Sequence, residues 1–123
     1  MPPKQTELRE EGAAPFEALA GLDRLVHEPA RLAILTALSA CASADFLYLQ
    51  RLTGLTKGNL SSHLAKLEEG GLIETENTFV GKVPNTRLRL SPPGRAAVDE
   101  HWQRLAEIKQ RAALWRPELQ SSS

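Results

Sequence analysis

The chain has 123 residues, about the length of one domain. Its 15 basic and 15 acidic side chains give a formal net charge of zero, and 41% of its residues are hydrophobic, as in an ordinary globular protein. The single cysteine, Cys41, excludes an intramolecular disulfide and every multi-cysteine metal cage. The sequence lacks an apolar run of the roughly 18–20 residues that a membrane span needs, and its N-terminus lacks the apolar core of a secretory signal. We therefore expect a cytoplasmic protein that does not associate with membranes.

The zero net charge conceals an uneven distribution along the chain. Residues 1–44 hold four basic and six acidic side chains, residues 45–95 hold seven and five, and residues 96–123 hold four of each. Residues 46–67 hold three basic side chains and no acidic one. Because salt screens charges beyond about 8 Å, this middle segment can present a basic surface although the whole protein is neutral.

The spacing of apolar residues predicts two helices in the first part of the chain. Residues 1–14 are expected to form a flexible polar tail. A helix is predicted from Pro15 onward, with these side chains recurring on one side: Phe16, Leu19, Leu22 and Val26. Pro29 interrupts this helix, and residues 30–38 predict a second, mostly buried helix.

The next segments predict two helices joined by a tight turn. Asp45 is expected to cap a short helix that Gly54 ends, with these side chains inward: Phe46, Leu49 and Leu52. Thr56 is expected to cap a further helix, over residues 56–69, with this inward stripe: Leu60, Leu64 and Leu67. This order is the helix-turn-helix pattern.

A β-hairpin and a long helix complete the predicted elements. Residues 72–80 predict a half-buried strand, residues 81–85 a loop, and residues 86–90 a second strand that alternates leucine inward with arginine outward. Residues 92–114 predict a last helix, roughly 34 Å long at 1.5 Å per residue and capped by Ser91. A domain of this size does not need so long a helix to cover its core, so its apolar stripe predicts packing against a second copy.

Together these elements predict a mainly α fold with a small β-hairpin wing, a winged helix-turn-helix with N- and C-terminal helices for dimerisation. We assign the winged-helix DNA-binding domain to residues 15–91, the dimerisation helix to residues 92–116 and a flexible tail to residues 117–123. The expected dimer interface comprises Phe16, Leu19, Val98, Trp102, Leu105, Ile108 and Trp115. The alternative for the two tryptophans is an aromatic pocket that binds an effector.

The helix after the turn carries small or hydrogen-bonding side chains opposite its leucines, which suits insertion into a major groove. The candidate DNA-binding residues on this helix are Thr56, Lys57, Gly58, Asn59, Ser61, Ser62, His63 and Lys66. In the hairpin, Lys82, Arg87 and Arg89 are expected to contact phosphates or the minor groove.

Three residues keep two interpretations each. Gly58 permits close approach of the backbone to a phosphate, or is tolerated in a first helical turn. His63 contacts a phosphate, or forms a hydrogen bond within the domain. Cys41 is a redox switch, or packs as a small side chain. The sequence shows no nucleophile elbow, no glycine-rich phosphate loop and no cysteine–histidine pair of catalytic spacing, so we expect neither an enzyme nor a cofactor.

The stretches ADFLYLQRLTGLTKGNLSSHLAKLEEGGLIE and FVGKVPNTRLRLSPPGRAA resemble winged helix-turn-helix transcriptional regulators of the broad ArsR/MarR-like class, and the resemblance covers about residues 22–100. It implies a homodimer bound to double-stranded DNA, and we expect a sequence-specific repressor or other regulator of transcription. Residues 56–66 of each copy would enter successive major grooves of double-stranded DNA, with the wing at residues 81–89 alongside.

The sequence departs from this class at the metal-sensing positions. Some members hold a cysteine pair beside the helix-turn-helix, where this chain has Leu47-Tyr48-Leu49. Others use an Asp-x-His pair that Asp99 and His101 match, but Ala112 occupies the place of the second histidine. We therefore expect no metal site. Two alternative functions remain: a winged-helix module that binds another protein, and a sensor whose unidentified small-molecule effector binds at the dimer interface.

Overall fold

The computed structural model describes residues 15–116, so the tails predicted at residues 1–14 and 117–123 lie outside the described residues. The elements are α1 (Phe16–Ala20), α2 (Pro29–Ser39), β1 (Ala44–Asp45), α3 (Phe46–Thr53), α4 (Lys57–Glu69), β2 (Ile73–Val80), β3 (Val83–Leu90) and α5 (Pro92–Leu114). The predicted mainly α fold with a small β-hairpin is confirmed. Residues 23–101 form one compact unit, and the described part of a second unit comprises residues 15–22 and 102–116.

Local side-chain chemistry sets the limits of α3 and α4 as predicted. The carboxylate of Asp45 accepts a hydrogen bond from the backbone N–H of Tyr48 at 2.7 Å. Gly54 ends α3 with a φ of +71°, a left-handed conformation that glycine adopts without steric cost. The hydroxyl of Thr56 accepts from the backbone N–H of Asn59 at 3.1 Å and so caps α4. The turn between the two helices is therefore fixed at both ends.

The core of the larger unit is a continuous set of aliphatic side chains from α2, α3, α4, the sheet and the start of α5. The predicted leucine stripe of α4 is buried within it. The core residues are Val26, Ile34, Leu35, Leu38, Ala44, Leu49, Leu60, Leu64, Leu67, Leu72, Ile73, Leu88, Leu90 and Val98.

The sheet has three antiparallel strands in the order β1-β3-β2. The sequence prediction missed the two-residue strand β1, in which Ala44 pairs with Leu88. The hairpin loop predicted over residues 81–85 is also wrong. Val80 pairs directly with Val83, so the turn comprises only two residues, the first of them Gly81 with a φ of +65°. Positive φ at the first central position makes it a two-residue turn that matches the strand twist.

Two helical predictions need correction. The first helix ends at Ala20 rather than continuing toward Val26, because Gly21 closes it and the following residues form turns. Leu22 and Val26 are nevertheless buried, which accounts for the apolar spacing that indicated a longer helix. On α3, Leu49 is fully buried as predicted, but Leu52 is 52% exposed.

The structure also corrects the predicted dimer interface. Val98 belongs to the core of its own chain and Ile108 is likewise buried, so neither is available to a partner. Phe16, Leu19 and Trp102 are exposed as an interface would require, and the remaining members, Leu105 and Trp115, are half-buried. In the smaller unit, the rings of Phe16 and Trp115 meet edge to face with centroids 5.5 Å apart. None of the helices within residues 15–116 is long and apolar enough to cross a membrane.

The turn before α2 contacts α5 through two histidines. Nδ1 of His27 lies 3.4 Å from Nε2 of His101, whose side chain is buried. Burial lowers the pKa of His101 and the neighbouring His27 lowers it further, while the charge of Asp23 partly opposes both effects.

Replacement of Gly94 tests a close approach between the start of α5 and the backbone of Leu72. Gly94 donates its backbone N–H to the hydroxyl of Ser91, and a Cβ at this position would overlap the carbonyl oxygen of Leu72. We expect Gly94→Ala to lower the free energy of unfolding by more than about 2 kcal/mol, because backbone must move to relieve the overlap. Gly58→Ala is the control, since its Cβ meets nothing within 4 Å, and it should raise stability by up to about 1 kcal/mol. Equal urea midpoints for Gly94→Ala and the wild type would contradict this account.

The histidine contact predicts a loss of stability in mild acid. A lowered pKa means that the folded protein binds this proton less readily than the unfolded chain, whose histidine titrates near 6.5. The stabilising contribution of neutral His101 is therefore complete above pH 6.5 and declines as the pH falls through 6.5 toward the lowered pKa. Urea unfolding across this range should show a smaller decline for His101→Gln than for the wild type. Identical pH dependence in the two proteins would rule out His101 as the cause.

Candidate nucleic-acid interface

The face of α4 opposite its buried leucines is open to solvent. Most of the predicted contact residues lie there and are exposed: Thr56, Lys57, Gly58, Asn59, Ser61, Ser62 and Lys66. The fold therefore brings together a surface of small polar side chains with lysines near both ends. Such a surface can enter a major groove, where amide and hydroxyl groups reach base edges and lysines reach phosphates.

The N-terminus of α4 has the features of a phosphate contact. The cap at Thr56 leaves other first-turn N–H groups without intrahelical partners, and the helix dipole makes this end positive. Gly58 lies in this turn without positive φ, and a Cβ added to it would meet no atom within 4 Å. The fold thus does not require glycine at this position, and both interpretations of Gly58 stay open.

The wing arginines, which the sequence predicted to face outward and contact DNA, have partners within the chain. Arg89 ion-pairs through Nε with Glu74 at 2.9 Å and through Nη1 with Glu76 at 3.4 Å. The hydrogen bond and the charge of Glu74, followed by those of Glu76, raise the pKa of Arg89. Arg87 is half-buried and donates to the hydroxyl of Ser43 at 2.7 and 3.2 Å. The carboxylates opposite Arg89 offset its positive charge, whereas the hydrogen bonds of Arg87 hold its guanidinium in place without neutralising it.

The tip of the wing is apolar apart from Lys82, which is exposed in the two-residue turn. Phe79, Val80 and Val83 are between 65% and 70% exposed. The sequence predicts a half-buried strand and a loop at these positions. The consecutive apolar residues beside Gly81 could have indicated an apolar tip. The local sequence could not show, however, that both faces of the tip lie away from the core.

His63 forms contacts within its own unit, in agreement with the second of its two interpretations. Its ring is 21% exposed, and Nδ1 lies 3.3 Å from Nη1 of Arg31 and 3.6 Å from Oε2 of Glu28. Glu28 also caps α2 by accepting from the backbone N–H groups of Ala30 and Arg31. Burial alone would raise the pKa of Glu28, but these two hydrogen bonds and the charges of His63 and Arg31 lower it overall.

Cys41 packs as a small side chain, in agreement with its second interpretation. Its thiol is half-buried against the core and donates to the carbonyl oxygen of Ala37 at 3.4 Å. Among residues 15–116, no group of three or more His, Cys, Asp or Glu side chains is placed to hold a metal ion.

Comparison with known proteins gives a consistent result. Residues 30–108 match the family model described as a winged helix DNA-binding domain. An uncharacterized protein of Methanocaldococcus jannaschii is 29% identical over 85 residues, which are 69% of this chain and 92% of that protein. A transcriptional regulator homologue from Pyrococcus horikoshii OT3 superposes with a TM-score of 0.69 and 26% identity, over 77% of this chain and 92% of its own.

Two further solved structures share the fold. A MarR-family transcriptional regulator from Silicibacter pomeroyi has a TM-score of 0.60 and 23% identity, over 88% of this chain and 72% of its own. The transcriptional repressor CouR, bound to a 23-mer DNA duplex, has a TM-score of 0.61 and 21% identity, over 87% of this chain and 72% of its own. The predicted resemblance to winged-helix regulators is confirmed, and so is the prediction that the chain is not an enzyme.

Proposed function

The chain belongs to the winged helix DNA-binding domain family and is a transcription regulator, and we propose that it represses transcription as a cytoplasmic homodimer bound to a specific sequence of double-stranded DNA. The observation that carries this proposal is the exposed polar face of α4, held outward by the burial of Leu60, Leu64 and Leu67. A similar fold bound to a DNA duplex in CouR supports DNA as the partner.

The side chains on α4 divide into two roles by their chemistry. The amide of Asn59 and the hydroxyls of Ser61 and Ser62 can form directional hydrogen bonds with base edges and so select sequence. Thr56, Lys57 and Lys66 stand where phosphates would flank the groove, and their contacts add affinity without sequence preference. On the wing, Lys82 contacts the backbone or minor groove more readily than Arg87 and Arg89, which already have partners.

The proposed dimer rests on apolar side chains that the chain leaves exposed. Phe16 is 52% exposed, Trp102 45% and Leu114 72%, all within residues 15–22 and 102–116. A second copy could cover these groups by packing against the same surface. In this proposal residues 15–91 bind DNA and residues 92–116 provide the dimerisation helix.

Two substitutions on α4 test the division of roles. Lys66→Ala should weaken binding to all duplexes alike and lower the slope of log affinity against log salt by about one, because it removes one phosphate contact. Asn59→Ala should cost about 1–3 kcal/mol for the preferred duplex and relax preference at particular base pairs. Duplexes selected from a random pool provide the ligand, and Lys109→Ala on α5 is the control for loss of one exposed lysine. Absence of binding to any duplex at low salt would overturn the DNA-binding proposal and favour a protein-interaction module.

Light scattering tests the dimer. At micromolar concentration the mass should be about twice the 13.5 kDa of one chain. Trp102→Glu should shift the mass toward one chain while leaving the helical content unchanged, because it places a charge on an exposed part of the interface. A wild-type protein that stays monomeric at all concentrations would overturn the dimer.

A further inference from the structure

A guanidinium near the start of α2 connects three segments of the larger unit. The side chain of Arg31 is only 12% exposed. Its Nε donates to the carbonyl oxygen of Leu25 at 2.8 Å, and its Nη2 donates to that of Arg24 at 3.0 Å. Its Nη1 lies 3.3 Å from Nδ1 of His63, in the middle of α4. The turn before α2 is thus joined to the proposed recognition helix through one side chain.

The donor capacity of arginine selects one tautomer of the neutral His63 ring. A guanidinium only donates hydrogen bonds, so in the neutral imidazole Nδ1 accepts from Arg31 and the ring proton is on Nε2. The carboxylate of Glu28 is 3.6 Å from the same Nδ1 and already accepts from two backbone N–H groups at 2.9 and 3.1 Å. Arg31 is therefore the nearer partner of the ring.

His63 is next to the residues on which DNA recognition is proposed to depend. Residues three and four apart are neighbours on a helix surface, so His63 lies between Asn59, four residues before it, and Lys66, three residues after it. A second contact exists at the end of the helix, where a Cβ at Gly70 would come within 2.5 Å of Cδ2 of Leu25. The segment from Leu25 to Arg31 thus contacts α4 both at its middle and at its end.

We propose that Arg31 is a positioning residue for DNA recognition: by holding Nδ1 of His63, it refines the orientation of α4 that the buried leucines establish, and hence the direction of Asn59 and Lys66. This role rests on the proposed function, because it assumes that the exposed face of α4 binds DNA. Arg31 has most of its surface buried and acts through His63 rather than by touching the nucleic acid.

The DNA experiment compares selectivity rather than affinity alone. Arg31→Met and His63→Leu should each lower the preference for a selected duplex over a random duplex by about tenfold, while affinity for the random duplex changes much less. His63→Asn should keep the wild-type preference, because the amide oxygen of asparagine can stand near the position of Nδ1 and accept from Arg31. Arg95→Gln, at an exposed position on α5, measures the effect of losing one arginine charge.

A measurement on the free protein separates this proposal from the proposed function. Imidazole nitrogen NMR shifts near pH 8 should show His63 of the wild type protonated on Nε2, and Arg31→Met should introduce the other tautomer. If the wild type binds DNA and both Arg31→Met and His63→Leu keep its selectivity, the positioning role alone is overturned. A His63 ring protonated on Nδ1 in the wild type would overturn it as well. A wild type that binds no duplex would overturn the proposed function, and the role of Arg31 with it. Circular dichroism checks that each variant is folded. If Arg31→Met does not fold, the difference in duplex preference between His63→Asn and His63→Leu tests the positioning role.

Discussion

The burial of three leucines on α4 is the constraint on which the rest of the structure depends. Leu60 and Leu67 are fully buried and Leu64 nearly so. Each buried leucine contributes about 1.5–3 kcal/mol relative to an exposed one, so rotating the helix to hide another face would cost several times that amount. Since a helix has one rotation about its axis, fixing the leucines inward also fixes which side chains face solvent. The core thus determines which surface of α4 is available for the proposed contact with DNA.

The distribution of charge is consistent with binding that depends on shape more than on bulk attraction. The wing contains arginines, yet Glu74 and Glu76 face Arg89, and Arg87 bonds to Ser43. The exposed lysines on α4 and at the wing tip therefore supply positive charge that phosphates can reach. A neutral protein with a few local cations has limited affinity for arbitrary DNA. Directional contacts from α4 and the spacing of two copies would then provide most of the discrimination.

The parts of the fold that the sequence predicted correctly are those set by local chemistry. The caps at Asp45 and Thr56, the left-handed glycine at Gly54 and the leucine stripe each depend on residues within one or two turns. Local spacing also explains the correct limits of α5. These signals require no knowledge of how distant segments meet. Other features that the sequence did not predict depend on distant partners: Arg87 and Ser43 are 44 residues apart, and His27 and His101 are 74 apart. The alternation of leucine and arginine correctly predicted that Arg87 points away from the core. It could not show that the chain at β1 would bring the hydroxyl of Ser43 beside it.

Contacts between distant residues also connect the turn before α2 to α4 and α5. Residues 24–28 form turns and bends before α2. Val26 anchors this segment in the core, and His27 against His101 on α5 and Arg31 against His63 on α4 add polar contacts. The turn thus contacts both the start of α5 and the helix that we propose faces DNA.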